Sequence, residues 1–532
     1  MTPHPPSELR TTIDGLPLPF TRIEHYLAHW AARTPHTEAV VDSSGRLSYA
    51  QLQQAVLATA SAMSQLGVTE GTCVAVLAPP SIDFLISLLA SASLGAVWLG
   101  LNPKYTLTEM QRVVEDARPR LVLAHRRIGD ADYSAILEQL RNCPGLQATH
   151  FWVLDSASTL LSKSHVASVA VPAFPTTTPS TTQQPVLLYV YTSGTTGTPK
   201  AARLTHQAII RAAAVRARAW SVSPFRSLNN LPINHVGSVG DIACTTLVCG
   251  GCMVCLERFS PAGTLRCIEQ EQVSFWYQVP TMFQMCLDLA DDHPIDWSAL
   301  QAAVWSGGRA SETLIRRLAR VAPRLGLDYS MTESVGAITL TLLTSDADLL
   351  EDHVGWPDPG RNLRLVDPDT LEPVSGGQAG EVQICDPWMF DGYRGTVQGG
   401  DAFAPGGWFR TGDLAVQRPD GAWRLVGRSK EMFKSGGYNV YPREVELAIE
   451  SHPDVRAVAV VAIPDALYGE VGVAYVVGFA GFPDASVLEA HCRQLLANYK
   501  IPKRFVGMDA LPMLPIGKVD KVALREAARN AG

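Results

Sequence analysis

Short apolar segments alternate with helical segments along the chain, and this alternation limits its possible folds more than any other feature. Helical periodicity predicts helices over residues 23–33 and 49–66, the second of which ends at Gly67. Such a pattern favours an α/β fold with mostly parallel sheets. Buried strands are predicted at residues 39–41, 74–77, 121–124 and 151–154.

An uncharged run over residues 84–103 has the length of a membrane span but not its character. It is rich in Ser, Ala and Gly, and it changes near Gly95. We therefore predict a buried helix over residues 82–94, a strand over residues 96–101 and no membrane segment.

The chain is also too long for one compact core, so its 532 residues are expected to form at least two domains. A Pro-, Thr- and Gln-rich stretch over residues 171–185 predicts an exposed connector. After residues 425–430 comes a unit of about 100 residues, which is enough for a small α/β domain. Its predicted elements are strands at 455–462 and 471–479 and helices at 443–451 and 487–497.

Charge and cysteine content exclude several classes of protein. Lys plus Arg is 44 and Asp plus Glu is 51, so the net charge of −7 gives no general attraction to nucleic acid or anionic membranes. Ten cysteines are too few for a disulfide scaffold, and reduced thiols in the cytoplasm are expected. Cys249, Cys252 and Cys255 have the spacing of metal ligands, but their apolar setting favours a buried helix-to-strand connection.

One loop has the composition of a phosphate-binding segment. It reads Tyr191-Thr-Ser-Gly-Thr-Thr-Gly-Thr-Pro-Lys200 and follows an apolar strand predicted at residues 186–190. The glycines let backbone N–H groups approach a ligand, and the hydroxyls and the lysine suit a polyphosphate. The spacing differs from the Walker A pattern. A flexible linker is disfavoured because we expect the loop to lead from a buried strand into an apolar helix.

Five motifs follow one another along the chain, namely Thr192–Lys200, Tyr329–Glu333, Trp408–Asp413, Gly427–Glu446 and Pro515–Lys518. In this order they resemble the motifs of the adenylate-forming superfamily of acyl-CoA synthetases, luciferases and adenylation domains. The resemblance runs from about residue 20 to about residue 525. It implies two α/β domains, namely an N-terminal adenylation domain with acyl and ATP sites (1–427) and a mobile C-terminal domain (431–532), joined by a hinge (428–430). The active site is expected at their interface.

The resemblance implies a site for ATP and Mg²⁺. Thr332 is expected at the nucleotide phosphate, Glu333 at Mg²⁺, Asp413 and Arg428 at the ribose, and the glycines after Ser306 at the adenine. Each also has an ordinary explanation, such as a turn residue for Asp413. The implied ATP- and AMP-binding residues are Thr192, Ser193, Gly194, Thr195, Thr196, Gly197, Lys200, Gly307, Gly308, Arg309, Asp328, Tyr329, Ser330, Met331, Thr332, Asp413 and Arg428.

The implied reaction has two halves. A carboxylate attacks the α-phosphorus of ATP to give an acyl-adenylate and pyrophosphate, and a thiol then displaces AMP. Lys518 is the implied catalytic lysine, bridging the acyl carboxylate and the α-phosphate, and Lys430 takes the hinge position. The implied catalytic set is Lys518, His235, Thr332 and Glu333.

The segment Ser435-Gly-Gly-Tyr-Asn-Val-Tyr-Pro442 bears on the thiol acceptor. Ser435, Gly436 and Gly437 resemble a channel that admits the pantetheine arm of CoA. Free CoA is therefore the expected acceptor. A carrier-protein thiol is the alternative.

The carboxylic acid that would be the substrate is harder to identify. The segment from Leu231 to Ser238 resembles the one that opens the acyl pocket, and Ser330 replaces the usual Gly of its motif. An aromatic or compact hydrophobic acid is expected, with a medium- or long-chain fatty acid as the alternative. Trp276, Tyr277 and Trp305 can line this pocket or belong to the core. The predicted acyl-pocket residues are His235, Val236, Gly237, Trp305, Ser330 and Ala337.

Two alternatives of another class stay open: a non-catalytic nucleotide-binding relative, and an oxidative light-emitting enzyme. The expected partners are therefore a small carboxylic acid, ATP and CoA, without nucleic acid or a membrane span. A monomer or a homodimer is compatible with the sequence.

Overall fold

A computed structural model gives the structure of the chain. It describes residues 9, 18–143, 145–154, 160, 185–192, 199–395, 402–429, 431–436, 438–479, 481–513 and 519–530. The described residues form two compact units. Those within Leu363–Ile384 and Asp401–Gly532 belong to the smaller unit, and those within His4–Asn362 and Cys385–Gly400 belong to the larger one.

The described helices of the larger unit range from 3 to 17 residues in length. Capping boxes begin two of them, with Ser48 paired to Gln51 and Thr106 paired to Glu109. The helices described are α1 (Glu24–Arg33), α2 (Tyr49–Gln65), α3 (Ile82–Ser93), α4 (Leu107–Ala117), α5 (Ser134–Arg141), α6 (His206–Ala219), the π-helix Gly237–Cys244, α7 (Thr245–Cys249), α8 (Pro261–Gln270), α9 (Pro280–Asp292), α10 (Glu312–Val321) and the 3₁₀-helix Asp348–Leu350.

The strands of the larger unit are mostly short and buried. They are β1 (Glu38–Asp42), β2 (Gly45–Ser48), β3 (Cys73–Leu77), β4 (Val97–Gly100), β5 (Leu121–His125), β6 (Arg127–Ile128), β7 (Ala131–Asp132), β8 (His150–Leu154), β9 (Val186–Thr192), β10 (Lys200–Thr205), β11 (Arg226–Asn229), β12 (Cys252–Cys255), β13 (Phe275–Gln278), β14 (Ala302–Trp305), β15 (Leu325–Met331), β16 (Gly336–Leu340) and β17 (Trp356–Pro357).

Two sheets organise these strands. One has nine described strands in the order β17-β16-β15-β14-β13-β11-β12-β1-β2, with a parallel centre and antiparallel edges. The other has six, in the order β10-β9-β4-β3-β5-β8, and only its β10 edge is antiparallel. Parallel strands with helical crossovers carry polar loops at their carboxyl ends, where α/β proteins bind ligands.

The smaller unit has two further sheets. The order of the first is β18-β19-β21-β20, with β22 also paired to β21; the order of the second is β24-β23-β26-β25, with β27 also paired to β26. The elements are β18 (Leu363–Val366), β19 (Ala379–Ile384), β20 (Phe403–Ala404), β21 (Trp408–Gln417), β22 (Trp423–Arg428), β23 (Phe433–Ser435), β24 (Tyr438–Val440), β25 (Val455–Asp465), β26 (Gly469–Gly478), β27 (Arg504–Gly507), α11 (Pro442–Glu450), α12 (Ala485–Leu495), the 3₁₀-helix Asn498–Lys500 and α13 (Lys521–Asn530).

The structure confirms the α/β class and most predicted elements. The uncharged run over residues 84–103 is indeed a buried helix followed by a strand, α3 and β4. The cysteine run is the predicted connection, because Cys249 ends α7, Gly250 has φ +67° and Cys252 begins β12. Within the described ranges, no helix combines the length and apolar character needed to cross a membrane.

One expectation is wrong. The loop after β9 does not lead directly into a helix, because Lys200–Thr205 forms β10, which pairs antiparallel with β9 before α6 begins. Ala201, Ala202 and Leu204 of this edge strand are buried, whereas Lys200 and Arg203 are partly exposed. The predicted connector over residues 171–185 lies outside the described residues except for Pro185.

Candidate active site

Glu333 lies in a tight turn between two antiparallel strands. Strands β15 and β16 flank the turn, which places Val335 in the left-handed region at φ +59°. The hydroxyl of Ser334 donates to the Gly336 carbonyl and accepts from the Met331 N–H. Arg361 donates to the Ser334 and Ala337 carbonyls. Glu333, the residue predicted at Mg²⁺, therefore lies in a β-hairpin turn whose backbone is held by side-chain hydrogen bonds.

Neutral hydroxyls hold the Glu333 carboxylate. Its Oε1 accepts from the Tyr393 hydroxyl at 2.8 Å and from the Thr192 hydroxyl at 3.2 Å, and the residue is only 7% exposed. Among the described residues, no Lys, Arg or His lies within ion-pairing distance of it. The described contacts of this nearly buried carboxylate are therefore to neutral donors.

Tyr393 joins this carboxylate to the phosphate-loop strands. Its segment pairs with β10 through a bridge between Ala202 and Tyr393, and the Lys200 ammonium lies 5.6 Å from its ring centroid. Burial and then the negative charge of Glu333 raise the pKa of the Tyr393 hydroxyl, which keeps it a donor. Thr192 and Lys200 face each other across β9 and β10.

The donor set around Glu333 suits a hard cation completed by substrate oxygens. No group of three or more His, Cys, Asp or Glu side chains is arranged to hold a metal in the described part of the chain. Mg²⁺ is commonly held by one or two carboxylates, with waters and substrate phosphates filling the other positions. A carboxylate that is held by hydroxyls among the described residues, next to the strand before the predicted phosphate loop, fits that ion.

Asp413 and Arg428 come together in the smaller unit. They are register partners on β21 and β22, and the Arg428 guanidinium donates to Asp413 Oδ1 at 2.8 Å. Asp413 is buried, whereas 55% of the Arg428 side chain is exposed. The Thr411 hydroxyl also accepts from the Asp413 N–H. The carboxylate is thereby fixed in position by a guanidinium and by its own backbone turn.

A buried charge network underlies the strand that leads to Glu333. The Arg216 guanidinium contacts Asp241 Oδ1 and Asp328 Oδ2, each at 2.8 Å. The Tyr277 hydroxyl lies 3.3 Å from Asp241 Oδ2 and 3.2 Å from Asp328 Oδ1. Burial raises the pKa of Asp241 to about 6; Arg216 opposes this rise and Asp328 adds to it. Asp328, predicted at the nucleotide, thus has its carboxylate turned to Arg216 and Tyr277.

The other residues of the predicted nucleotide motif lie on β15. Tyr329 is buried opposite Thr339, Ser330 pairs with Ala337, and Met331 pairs with Gly336. Thr332 follows them at the start of the turn.

The adenine-loop residues follow the carboxyl end of β14. The Ser306 hydroxyl donates to the Asp328 carbonyl and lies 3.4 Å from the Ser330 hydroxyl. Gly307 has φ +77°, a conformation that favours glycine. Gly308 comes next, and Arg309 pairs with Asp352 at 3.3 Å.

The predicted acyl-pocket residues lie in three places, of which one is the pair Ser330 and Ala337 on β15 and β16. His235, Val236 and Gly237 lead into the π-helix, a rare geometry that is frequent at functional sites. Trp305 instead belongs to the core packed between the nine-stranded sheet and its helices, as does Trp276, whose ring meets Phe283 edge-on at 4.3 Å. Parallel register puts Trp305 on the sheet face opposite Tyr277 and Asp328.

Of the predicted CoA-channel residues, Ser435 and Gly436 are described. Ser435 is buried at the end of β23 and pairs with Gly469, and the Gly436 N–H donates to the Tyr468 carbonyl. Ser193, Gly194, Thr195, Thr196, Gly197, Lys430, Gly437 and Lys518 lie outside the described residues.

Several residues at these sites were not predicted from the sequence. Tyr393 lies 60 positions from Glu333, and no spacing rule connects them. Asp241 did leave a signal, since it is the only charged residue between His235 and Glu257. Arg216 is one of two arginines, with Arg211, among the buried residues of α6.

Comparison with known proteins places the chain among well-described relatives. Residues 27–394 match the family model of the AMP-binding enzyme, and residues 444–518 match that of the AMP-binding enzyme C-terminal domain. The chain is 33% identical to the indoleacetate–CoA ligase of Aromatoleum aromaticum, covering 95% of this chain and 98% of that protein. It is 30% identical to a feruloyl-CoA synthase from an Amycolatopsis species, with coverages of 94% and 98%.

Solved structures agree. ATP-bound MatB from Rhodopseudomonas palustris superimposes with a TM-score of 0.83 at 27% identity, covering 96% of this chain and 99% of that one. A Mycobacterium tuberculosis fatty acyl CoA synthetase gives a TM-score of 0.75 at 28% identity, with the same coverages.

Proposed function

This chain belongs to the AMP-binding enzyme family and is an AMP-forming acid–CoA ligase, and from that premise we propose that it activates an aromatic carboxylic acid. The acid attacks the α-phosphorus of ATP, pyrophosphate leaves, and the CoA thiol then displaces AMP from the acyl-adenylate. No covalent bond to the protein is needed, so its residues act by binding, orientation and charge.

The arrangement of Thr192, Tyr393 and Glu333 is the observation that carries the proposal. Thr192, at the end of the strand before the phosphate loop, and Tyr393 both donate to Oε1 of Glu333, which lies in the turn after β15. Two neutral donors orient the carboxylate without cancelling its charge. Lys200, at the far end of the same loop, supplies a cation for the phosphates.

We propose Glu333 as the protein ligand of Mg²⁺. When bound, Mg²⁺ would neutralise the charge that develops on the triphosphate. Thr192 and Tyr393 keep the carboxylate in one orientation, and Thr332 is proposed at the phosphate. These roles are supported by the hydroxyl contacts and by the hard-oxygen preference of the ion.

The remaining site residues are proposed from the motifs. Lys518 is the proposed catalytic lysine of adenylation, Lys430 the hinge, and residues 1–427 and 431–532 the two domains. A Lys518→Ala variant is expected to lose acid-dependent pyrophosphate release. Thioester formation from supplied acyl-adenylate is expected to survive.

An aromatic acid is preferred over a fatty acid. The relatives named for indoleacetate and ferulate are 33% and 30% identical, against 28% for a medium-chain ligase from Macaca fascicularis and 29% for a long-chain one from Mycobacterium tuberculosis. Free CoA is the proposed acceptor, because the matched relatives are named for CoA and Ser435 and Gly436 resemble a pantetheine channel.

A cytoplasmic location is proposed from the thiols. All ten cysteines lie within the described residues, and none of them forms a disulfide there. Burial raises the pKa of the thiols of Cys73, Cys244 and Cys286 to about 12, so they are held as inert, reduced thiols.

The test is pyrophosphate release across aromatic and C4–C16 acids, with and without Mg²⁺ and CoA. We expect release with aromatic acids, dependence on Mg²⁺, and acyl-CoA only when CoA is present. Preference for C14–C16 acids would refute the aromatic assignment. Transfer to a carrier-protein thiol in place of CoA would refute the acceptor.

A further inference from the structure

The turn that carries Glu333 contains a residue in an unfavourable backbone conformation. Val335 is fully buried and has φ +59°, in the left-handed region that a β-branched residue rarely adopts. Such a conformation is strained and persists only where the surrounding structure holds it in place. The position of Glu333, two residues earlier in the chain, therefore depends on the contacts that hold this turn.

Arg361 makes hydrogen bonds on both sides of the strained residue. Its Nη2 donates to the Ser334 carbonyl at 2.6 Å and its Nε donates to the Ala337 carbonyl at 2.7 Å. These carbonyls lie before and after Val335 in the chain, so one guanidinium holds the turn from both ends. The Arg361 side chain is completely buried. A Cβ at Gly336 would lie 3.3 Å from Nη2, so the glycine leaves room for the guanidinium.

The same guanidinium is anchored to the segment that supplies a donor to Glu333. Its Nη1 donates to Asp386 Oδ1 and Oδ2 at 3.4 Å and 3.3 Å. Asp386 begins the segment that ends at Tyr393, whose hydroxyl donates to the Glu333 carboxylate. In the same segment, the Phe390 N–H donates to the Glu333 carbonyl at 2.9 Å. Arg361 thus links the two parts of the chain that meet at Glu333.

The buried charges around this guanidinium are matched in number. Asp386 pairs with Arg361, and Asp358 pairs with Arg211, which donates to both of its carboxylate oxygens. The bonds from Arg361 to the turn end on backbone carbonyls. They therefore fix the position of Glu333 without neutralising its carboxylate.

We infer that Arg361 is a positioning residue, which holds the Glu333 carboxylate in place for Mg²⁺ and the bound ATP. The inference rests on the proposed function, in which Glu333 is the metal ligand, and adds the residue that orients it. A guanidinium directs its nitrogens at fixed angles to two carbonyls and one carboxylate, whereas the ammonium of lysine is a single point of attachment. Residues that orient a metal ligand typically contribute roughly 10–100-fold to the affinity for the metal.

The test measures metal-dependent nucleotide binding and needs no carboxylic acid. The probe is α,β-methylene-ATP, in which the bond broken during adenylate formation is blocked, and its Kd is measured by titration calorimetry in Mg²⁺ and in EDTA. The ratio of the Kd in EDTA to the Kd in Mg²⁺ reports the contribution of the metal. We expect Arg361→Lys to lower this ratio about tenfold, to that of Glu333→Gln, because the charge is kept while the fork of donors is lost.

Further variants separate positioning from a general loss of stability. Arg211→Lys is the matched control, because Arg211 is also buried but donates to Asp358, so the ratio should stay at the wild-type value. Arg361→Lys combined with Glu333→Gln should give the ratio of Glu333→Gln alone, since no carboxylate is left to position. Melting temperatures show which variants fold. Should Arg361→Lys not fold, Asp386→Asn keeps both carbonyl bonds, weakens the anchor and should lower the ratio by a smaller factor.

The outcomes distinguish the inference from the proposed function. A wild-type ratio in Arg361→Lys or, where that variant does not fold, in Asp386→Asn would overturn the inference and leave Glu333 as the metal ligand. An equal fall in Arg211→Lys, or a further fall in the combined variant, would do the same, and Arg361 would then only stabilise the fold. A wild-type ratio in Glu333→Gln would instead overturn the proposed metal role of Glu333, and the inference with it.

Discussion

Glu333 and Asp241 are both nearly buried carboxylates of the larger unit, but different kinds of donor hold them. Glu333 accepts from two neutral hydroxyls, whereas Asp241 faces the guanidinium of Arg216 and shares it with Asp328. Neutral donors fix an orientation and leave the charge available to a ligand. A guanidinium neutralises the charge of one carboxylate, and here the charge of the second carboxylate is not neutralised by it. Whether a nearly buried carboxylate already has a cationic partner thus distinguishes a position that can bind a metal ion, such as Glu333, from one in a structural ion pair, such as Asp241.

The largest effect is expected from removing the shared cation. Arg216→Met leaves two buried carboxylates without their cation, which should cost about 3–5 kcal/mol of unfolding free energy at neutral pH. The loss should shrink at lower pH because the carboxylates become protonated. Urea midpoints at pH 7 and pH 5 measure it. The exposed pair of Arg316 with Glu312 provides a control, since Arg316→Met should leave the midpoint nearly unchanged. Equal effects of the two substitutions would contradict the burial argument.

The next effect concerns the carboxylate held by hydroxyls. Glu333→Gln keeps an oxygen that accepts from Thr192 and Tyr393, so the fold should persist. Loss of the negative charge should lower kcat for Mg²⁺-dependent pyrophosphate release by roughly 100-fold, as for other electrostatic groups of an active site. Melting temperatures check the fold. If the Glu333→Gln variant turned over at the wild-type rate in saturating Mg²⁺, Glu333 would not be the metal ligand.

A third effect is the pH dependence of stability. The pKa of Asp241 is about 6 in the folded chain against an ordinary 3.8, so the folded state binds this proton more tightly. The associated stability is present below about pH 4 and is lost as pH rises through about 6, on the order of 3 kcal/mol. The Asp241→Asn variant lacks this proton equilibrium. Its unfolding free energy minus that of the wild type should therefore increase between pH 4.5 and 7.5, and parallel profiles would count against the assignment.

The smallest effect is expected from one hydroxyl. Tyr393→Phe removes one of the two donors to Glu333 and retains the ring beside Lys200. It should lower kcat/KM for ATP roughly fivefold, which corresponds to about 1 kcal/mol of lost transition-state stabilisation. Tyr191→Phe is the matched control, because the Tyr191 hydroxyl bonds Asp116 outside the predicted site. A similar loss in both variants would indicate a general packing defect.

The sequence predicted the fold class because local periodicity and burial agree in this chain. The helix over residues 82–94 and the strand after it emerged within one residue or two of their predicted bounds, since the Ser81 cap and Gly95 mark the ends of the helix. The pairing of Asp413 with Arg428 was implied only by shared motifs. In the structure it follows from the register of two neighbouring strands.

Long-range contacts were beyond prediction. Tyr393 reaches Glu333 because its segment pairs with β10, a strand whose presence was itself missed. Trp305 and Tyr277 lie on opposite faces of the nine-stranded sheet, and only the observed strand register shows which face each side chain takes. A pattern of residue types cannot fix which face of a fully buried strand meets which neighbour, because both faces are apolar.

Thr192 and Lys200 are register partners on β9 and β10, and the bridge between Ala202 and Tyr393 depends on the same register. Side chains alternate across a strand, so a slip of one residue in β10 would turn Lys200 to the other face and carry Ala202 away from Tyr393. One pairing pattern thus decides both which face of the sheet carries this cation and whether the tyrosine that donates to Glu333 stays within reach of it.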